Sequence, residues 1–576
     1  MSSLLRTIAA CCLLAQVSQA QSYFTWTKQS GDFYTASNWD LNRIPGINDV
    51  VIINNGGTAT IASNAGERAL SSFELGELED STDSGHIVME GGFLRIGESQ
   101  GDSKIHIGEG TVLSTFVMNG GTIFFDGPDD GALAGSRGSA GVNESDWEIG
   151  EHGYGRFEMH GDAVFRAGDD LKISENAAGH GSFLIDGQAR LSVGSGIAVS
   201  KGGSDFQEMT IGGNATVDAG NSMGAGHPDG HTDEGYLTLA INGGNARVIV
   251  QDQGTLNFRV LSSREGVSEF TIKDQGQVHI FDVLAGTGET DGQGNADRPT
   301  EVGGFRNSLS SGSNTESTMI IQDEGQMTVN ADNGLGMSGP RGSSDPGGKS
   351  LMVIRDSGSF RVEQDLALGT GTSSETCEAT LEIRGPEAAV SIGGNFNMAV
   401  DPDGMVPTSE TEADGTPIPA KSTLHSVITS GSHATLQIDG MARIAQGILK
   451  VTLDGYTPRG GETYTLISAG EIDGSFREVE LEGAPLAEGL SWEVAYTAET
   501  VTLQVEGQSN NGPGEPTQVN VTRDGASVTL SWEGSSALMQ SGNISGPWTL
   551  VEGATSPMTI QADAHQQFFK VGGSLE

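Results

Sequence analysis

The sequence predicts an all-β fold: a right-handed parallel β-helix followed by a small β-sandwich-like module. Three observations carry the prediction. A short unit recurs between about residues 157 and 440: an apolar residue, any residue and Ile, then a polar turn with Gly, then a second alternating strand. Phe270–Ile280, Met319–Val329 and Met352–Val362 are good copies. A repeat of this kind dictates a stacked, one-dimensional fold. No long segment carries the apolar stripe of a helix; apolar residues alternate in short runs such as Leu191-Ser192-Val193, which is a strand period. The chain also has 86 glycines and only 35% hydrophobic residues, which suits many tight turns around a narrow core.

The spacing sets the size of one coil. Met159, Ile185 and Ile211 stand 26 residues apart, and Ile321, Ile354 and Ile383 stand 33 and 29 apart. A unit of that length with two or three short strands is one turn of a parallel β-helix, its varying length absorbed by loops at one or two corners. At ~4.8 Å per coil, roughly 14–18 coils make a rod on the order of 70–90 Å long.

Residues 1–20 read as an export leader. Arg6 is followed by the apolar run Thr7–Val17 and the small-x-small site Ser18-Gln19-Ala20, so the mature chain begins at Gln21. Ile8-Ala9-Ala10-Cys11 offers a rival lipoprotein reading with a very short apolar stretch. Beyond residue 20 no apolar run approaches the ~20 residues of a membrane-spanning helix. The expected location is extracellular or at the cell surface.

Residues 21–61 read as a cap over the open end of the stack, which otherwise exposes strand edges and apolar side chains. Trp26, Phe33 and Trp39 are its aromatic core. Stacking of Trp26 and Trp39 on a sugar is the sharper alternative for this pair. The stretch Trp26, Gly31, Phe33, Asn38-Trp39, Pro45, Asp49-Val50-Val51-Ile52 resembles the opening of secreted bacterial β-helix proteins of the autotransporter-passenger type. The resemblance covers about residues 24–61 and implies architecture, not activity.

Residues 62–446 hold the β-helix repeats. In their Asp-x-Gly turns, Asp252, Asp274, Asp323 and Asp356 precede Gly254, Gly276, Gly325 and Gly358 by two. The expectation is turn chemistry, with Asp bonding the local backbone and Gly supplying positive φ. No cofactor is expected; a row of Asp binding Ca²⁺ is the alternative. Acidic insertions at 224–234, 286–317 and 401–422 read as loops at coil corners. The first contains His227, Asp229, His231 and Asp233, the best metal-ligand grouping that local sequence offers. Residues 447–507, where longer strands with Tyr, Phe and Trp appear, resemble the closing segment of the same β-helix family. Residues 508–516 form a linker, and 517–576 the small β module. No translocator barrel and no terminal sorting segment is recognised in the sequence.

With 76 acidic and 30 basic residues the formal charge is −46, which argues against nucleic acid as a partner, since phosphate contacts need a basic surface. Cys377 is the single cysteine after the leader, so no internal disulfide is available. Its expected place is a half-buried strand edge.

Two functions remain in view. One is a monomeric, non-enzymatic structural or adhesive β-solenoid that contacts extracellular polysaccharide or cell-surface components. The other is a polysaccharide lyase or glycoside hydrolase working in a groove along the helix, for which His227, His231, Asp233, Arg306 and Arg341 would have to converge. Fold-level analogy does not choose between them.

Overall fold

A computed structural model describes residues 21–507 except 77–81, 98–102, 126–145, 169, 195, 204, 221–234, 264–265, 282–314, 332–333, 338–347, 370–376 and 401–418. It also describes 519–571 except 525–526, 533–537, 544–547 and 562–567. The larger of two compact units runs to Tyr456 and includes Tyr464–Ala484 and Val494–Leu503. That unit is a parallel β-helix. Among the described residues it has no α-helix, and its one 3₁₀ turn is Ala36–Asn38. No described helix is long and apolar enough to cross a membrane.

From Tyr154 to Met398 the described strands recur in the same order. Strand Tyr154–Met159 lies on the first face, Val164–Ala167 on the second and Leu171–Ile173 on the third, before His180–Ile185 returns to the first. The first face is a continuous sheet of fifteen strands, from Ser30–Asp32 to Glu478–Gly483. Its neighbours pair in parallel, with inward residues in register from coil to coil. The third face stacks nine strands from Ser22–Thr25 to Val260–Ser263. The stack therefore starts at Ser22, within the stretch read as a cap.

The apolar-x-Ile triplet is the inner face of the first sheet. One column runs Phe116, Phe157, Phe183, Met209, Val248, Phe270, Met319, Met352, Leu381, Leu424; the next runs Met118, Met159, Ile185, Ile211, Val250, Ile272, Ile321, Ile354, Ile383. All are buried. Alternation dictates this, because every second side chain of a strand faces the core. Phe157 stacks between Phe116 and Phe183, at centroid distances of 5.1 and 5.7 Å. Full burial of each such side chain contributes about 1.5–3 kcal/mol.

From His160 to Gly358 the corner from first to second face is a four-residue β-turn closed by a backbone bond from its fourth N–H to its first carbonyl, as in Gly276 N to Lys273 O at 2.9 Å. Here the structure corrects the expectation for the Asp-x-Gly turns. The aspartates themselves adopt the left-handed conformation, with φ of 56° at Asp252, 55° at Asp274, 56° at Asp323 and 54° at Asp356. The glycines serve a different need. A Cβ on Gly276 would lie 2.5 Å from the carbonyl oxygen of Val250 in the adjoining coil, and one on Gly325 2.6 Å from that of Ile272.

The corner from third to first face also turns through a left-handed residue: Gly76, Gly108, Gly150, Ser174, Ser200 and Ala240 in successive coils. Beside it, inside the core, Ser263, Ser268 and Ser317 close a ring of hydroxyl bonds of 2.8–2.9 Å that satisfies three buried polar groups. Strands at 316–321 and 421–428 begin inside the expected insertions 286–317 and 401–422, so the described ends of those stretches belong to the first face.

Parallel pairing persists through Glu478–Gly483, and then the chain reverses. Ala469 N bonds Glu499 O and Ile472 N bonds Ala498 O, so the last strand runs antiparallel to Thr463–Asp473. The small C-terminal module has two three-stranded antiparallel sheets. Leu530, Trp532 and Leu538 form its core.

Candidate metal centre

The site lies on the outer side of the third face, whose strands here are three or four residues long and share one outward column. In register these are Glu74, His106, Glu148, Lys172, Ala198, Thr238 and Ser262. The left-handed corner residue follows two positions later, and the residue after it forms a second column: Glu109, Glu151, Glu175 and Lys201. Two columns of charged side chains thus meet at one edge, four successive coils deep.

Their contacts are close. His106 Nδ1 lies 2.8 Å from Glu109 Oε1 and 3.4 Å from Glu151 Oε2. Since an ionised Glu109 can only accept there, Nδ1 carries a proton, and in that tautomer Nε2 presents a lone pair. That Nε2 is fully buried, has no hydrogen-bond partner, and faces Glu148 Oε2 at 3.7 Å. Lys172 Nζ reaches Glu148 at 3.0 Å and Glu175 at 2.9 Å, and Lys201 also pairs with Glu175. His106 is 6% exposed and Glu148 4%.

Burial, reinforced by the carboxyl groups of Glu175 and Glu151, pushes Glu148 up to about 9 despite Lys172. Burial acts upward on Glu175 too, but bonds from Glu148, Lys201 and Lys172 outweigh it and hold that carboxyl well below its ordinary range. Glu148 and Glu175 therefore share one proton, as close carboxylates do. One donor atom each from His106, Glu148 and Glu151 lies within 4.8 Å of the other two, and this is the one such His/carboxylate grouping among the described residues.

Local sequence reading missed these residues. The signal is a second repeat, apolar-x-apolar-(Gly/Ser)-Glu, at Ile105-His106-Ile107-Gly108-Glu109, Trp147-Glu148-Ile149-Gly150-Glu151 and Leu171-Lys172-Ile173-Ser174-Glu175. The grouping singled out from sequence, His227, Asp229, His231 and Asp233, lies outside the described residues, as do Arg306 and Arg341.

Trp26 and Trp39 are placed differently from the sugar-stacking alternative. They are 1% and 2% exposed. They meet edge to face at 5.0 Å, with Phe33 5.0 Å and Phe24 6.3 Å from Trp39, and Trp39 Nε1 donates to Phe33 O. Neither ring offers a face to a ligand; the cluster packs the first coil. Cys377, expected at a half-buried edge, is fully buried against Ala399 and Ala420, and burial, with Glu378 nearby, pushes its thiol up to about 12. That removes the thiolate a nucleophile needs.

Along the first corner an open groove of about 580 Å³ is lined by Asn214, Asp252, Gln253, Asp274, Gln275 and Glu324 among others. Its amides form a ladder, Asn214 to Gln253, Gln253 to Gln275, Gln275 to Glu324, at 2.7–3.0 Å. Asp252 Oδ2 accepts from Gly213 N at 3.0 Å. These are bonds between turns of adjacent coils. No family model, curated protein or solved structure matches the chain.

Proposed function

We propose that the protein is an exported, non-enzymatic structural or adhesive β-solenoid of the autotransporter-passenger type, acting as a monomer on extracellular polysaccharide or cell-surface components. One observation carries the reading: on the first face, carboxylates of successive coils are paired with Arg and His of their own or adjoining coils. Glu158 is held by Arg156 and His160, Glu382 by Arg384 and His425, and Glu269 by Arg247. Such ladders stiffen a repeat stack, and the carboxylates within them are engaged by cations rather than poised to attack or protonate a sugar. The charge of −46 directs contact toward neutral or cationic surfaces.

A second reading, polysaccharide cleavage, is favoured by one feature. Glu148 and Glu175 titrate far apart, as the acid and base of a glycosidase do. Glu148 is nonetheless buried, which places its proton out of a substrate's reach. A depolymerisation screen over plant, algal and bacterial polysaccharides, with and without Ca²⁺, separates the two. The structural reading expects retention on an insoluble polysaccharide without soluble oligosaccharides. Release of oligosaccharides that stops in Glu148→Gln would overturn it.

A further inference from the structure

We propose that His106, Glu148 and Glu151 bind one divalent transition-metal ion of the Zn²⁺ type, with Glu109 fixing the imidazole from its far side. The argument begins with the buried Nε2. An imidazole lone pair shut away from water and bonded to nothing is costly. It faces a carboxylate oxygen at 3.7 Å, too far for a hydrogen bond. Two donors sharing an ion at ~2.1 Å each, near the tetrahedral angle, stand roughly 3.4 Å apart. The observed gap is therefore close to the width that an ion would span.

The other contacts fit the same reading. His106 Nδ1 donates to Glu109 at 2.8 Å, the carboxylate–histidine support that typically orients a metal-bound imidazole. Glu148 turns one oxygen to Lys172 at 3.0 Å and the other toward His106. Four carboxyl groups, at 109, 148, 151 and 175, meet two ammonium groups, at 172 and 201; an ion that displaces the proton shared by Glu148 and Glu175 leaves two negative charges to balance a dication. The donor set also selects the metal. Ca²⁺ takes six to eight oxygens and no imidazole, whereas one imidazole with carboxylates suits Zn²⁺ and its first-row neighbours. An ion here would tie the coil of Lys104–Ile107 to the coil of Asp146–Ile149. In the following coils the first column continues as Lys172 and Ala198 and the second as Glu175, held by two lysines, and Lys201, so the His/carboxylate set is not repeated there.

The test uses the mature full-length chain, stripped with a chelator and titrated with Zn²⁺ in a large excess of Ca²⁺ to saturate weak acidic sites. Bound metal is read by calorimetry and elemental analysis, and Co²⁺ absorption reports the nitrogen ligand. The expected result is one tight equivalent per chain that raises the melting temperature of the wild type. His106→Gln and Glu151→Gln should each weaken it about 100-fold or more, and Glu109→Gln about 10-fold, the range seen for outer-sphere partners. Two substitutions at separate positions keep the test open if one of them impairs folding, which far-UV circular dichroism reports. The double variant His227→Ala/His231→Ala should keep the equivalent. A tight equivalent that persists in folded His106→Gln, that vanishes only with His227 and His231, or that is never found would overturn the proposal.

Discussion

Two sets of turns make the same corner in different ways. In the earlier coils the turns are His160-Gly161-Asp162-Ala163, Asp186-Gly187-Gln188-Ala189 and Gly212-Gly213-Asn214-Ala215; in the later coils they are Gln251-Asp252-Gln253-Gly254, Lys273-Asp274-Gln275-Gly276 and Gln322-Asp323-Glu324-Gly325. Both sets put the second residue in the left-handed region, φ 63° at Gly161 and 55° at Asp274. In the earlier set that glycine also makes the close approach between coils: a Cβ on Gly187 would lie 2.8 Å from Gly161 N. Its fourth residue can then be Ala, fully buried at 163, 189 and 215. In the later set the approach has moved to the fourth position, and the second carries a side chain that bonds outward. The turn imposes two demands, positive φ and a missing Cβ. One glycine can meet both, or Asp and Gly can divide them.

The strongest challenge to this comparison is Gly276→Ala. The added methyl would meet Val250 O at 2.5 Å, an obstacle made of backbone, and the expected loss is about 2–3 kcal/mol by denaturant titration. The reverse change in an earlier turn, Ala189→Gly, removes one buried methyl and should cost only about 1 kcal/mol. Equal losses would mean that the fourth positions are equivalent and the comparison fails. At the second position, Asp323→Ala should cost about 1 kcal/mol for an alanine forced to positive φ, while Asp323→Gly should be nearly neutral. If the Gly variant loses as much as the Ala variant, the Asp carboxylate rather than backbone conformation holds the turn.

The smallest expected effect is a pH dependence confined to the earlier set. Burial lowers His160, but Glu158 and Asp186, at 2.8 Å each, outweigh it and raise its pKa above 6.5. A raised histidine stabilises fully below its unfolded value near 6.5, and the contribution fades as pH rises through the folded value. Thermal melts of His160→Asn should therefore differ from wild type at pH 6 and converge with it above pH 8. A gap that stays constant with pH would assign the effect to packing.

Legibility followed strand length. The first-face columns were readable because six-residue strands show their alternation: Phe157, Met159, Phe183, Ile185, Met209 and Ile211 all fall inward as the period requires. The third face was opaque. Its strands are three residues long at Leu171–Ile173 and Leu366–Leu368, too short for a period, and His106, Glu148 and Lys172 are separated by unequal insertions. Only the parallel register aligns them. The roles within Asp-x-Gly were inverted for a related reason: the need for glycine arises from a carbonyl in another coil, which no local reading of the turn contains.

The constancy of this corner also acts as a reading frame. From Met159 to Phe360 the interval between the inward residues flanking this corner is six, as at Ile185 and Leu191, Ile272 and Val278, and Ile321 and Met327; from Ile383 to Val390 it is seven, and a wider turn keeps both residues inward. A strand has a period of two, so a single residue added after Gly276, with the tight turn kept and not widened as it is after Ile383, would exchange the two sides of the strand that follows. Val278 and Ile280 would turn to solvent, and Gln277 and His279 would enter the core. One extra codon at a tight turn of this kind is a change of phase unless the turn itself is rebuilt, as the stretch between Ile383 and Val390 has been.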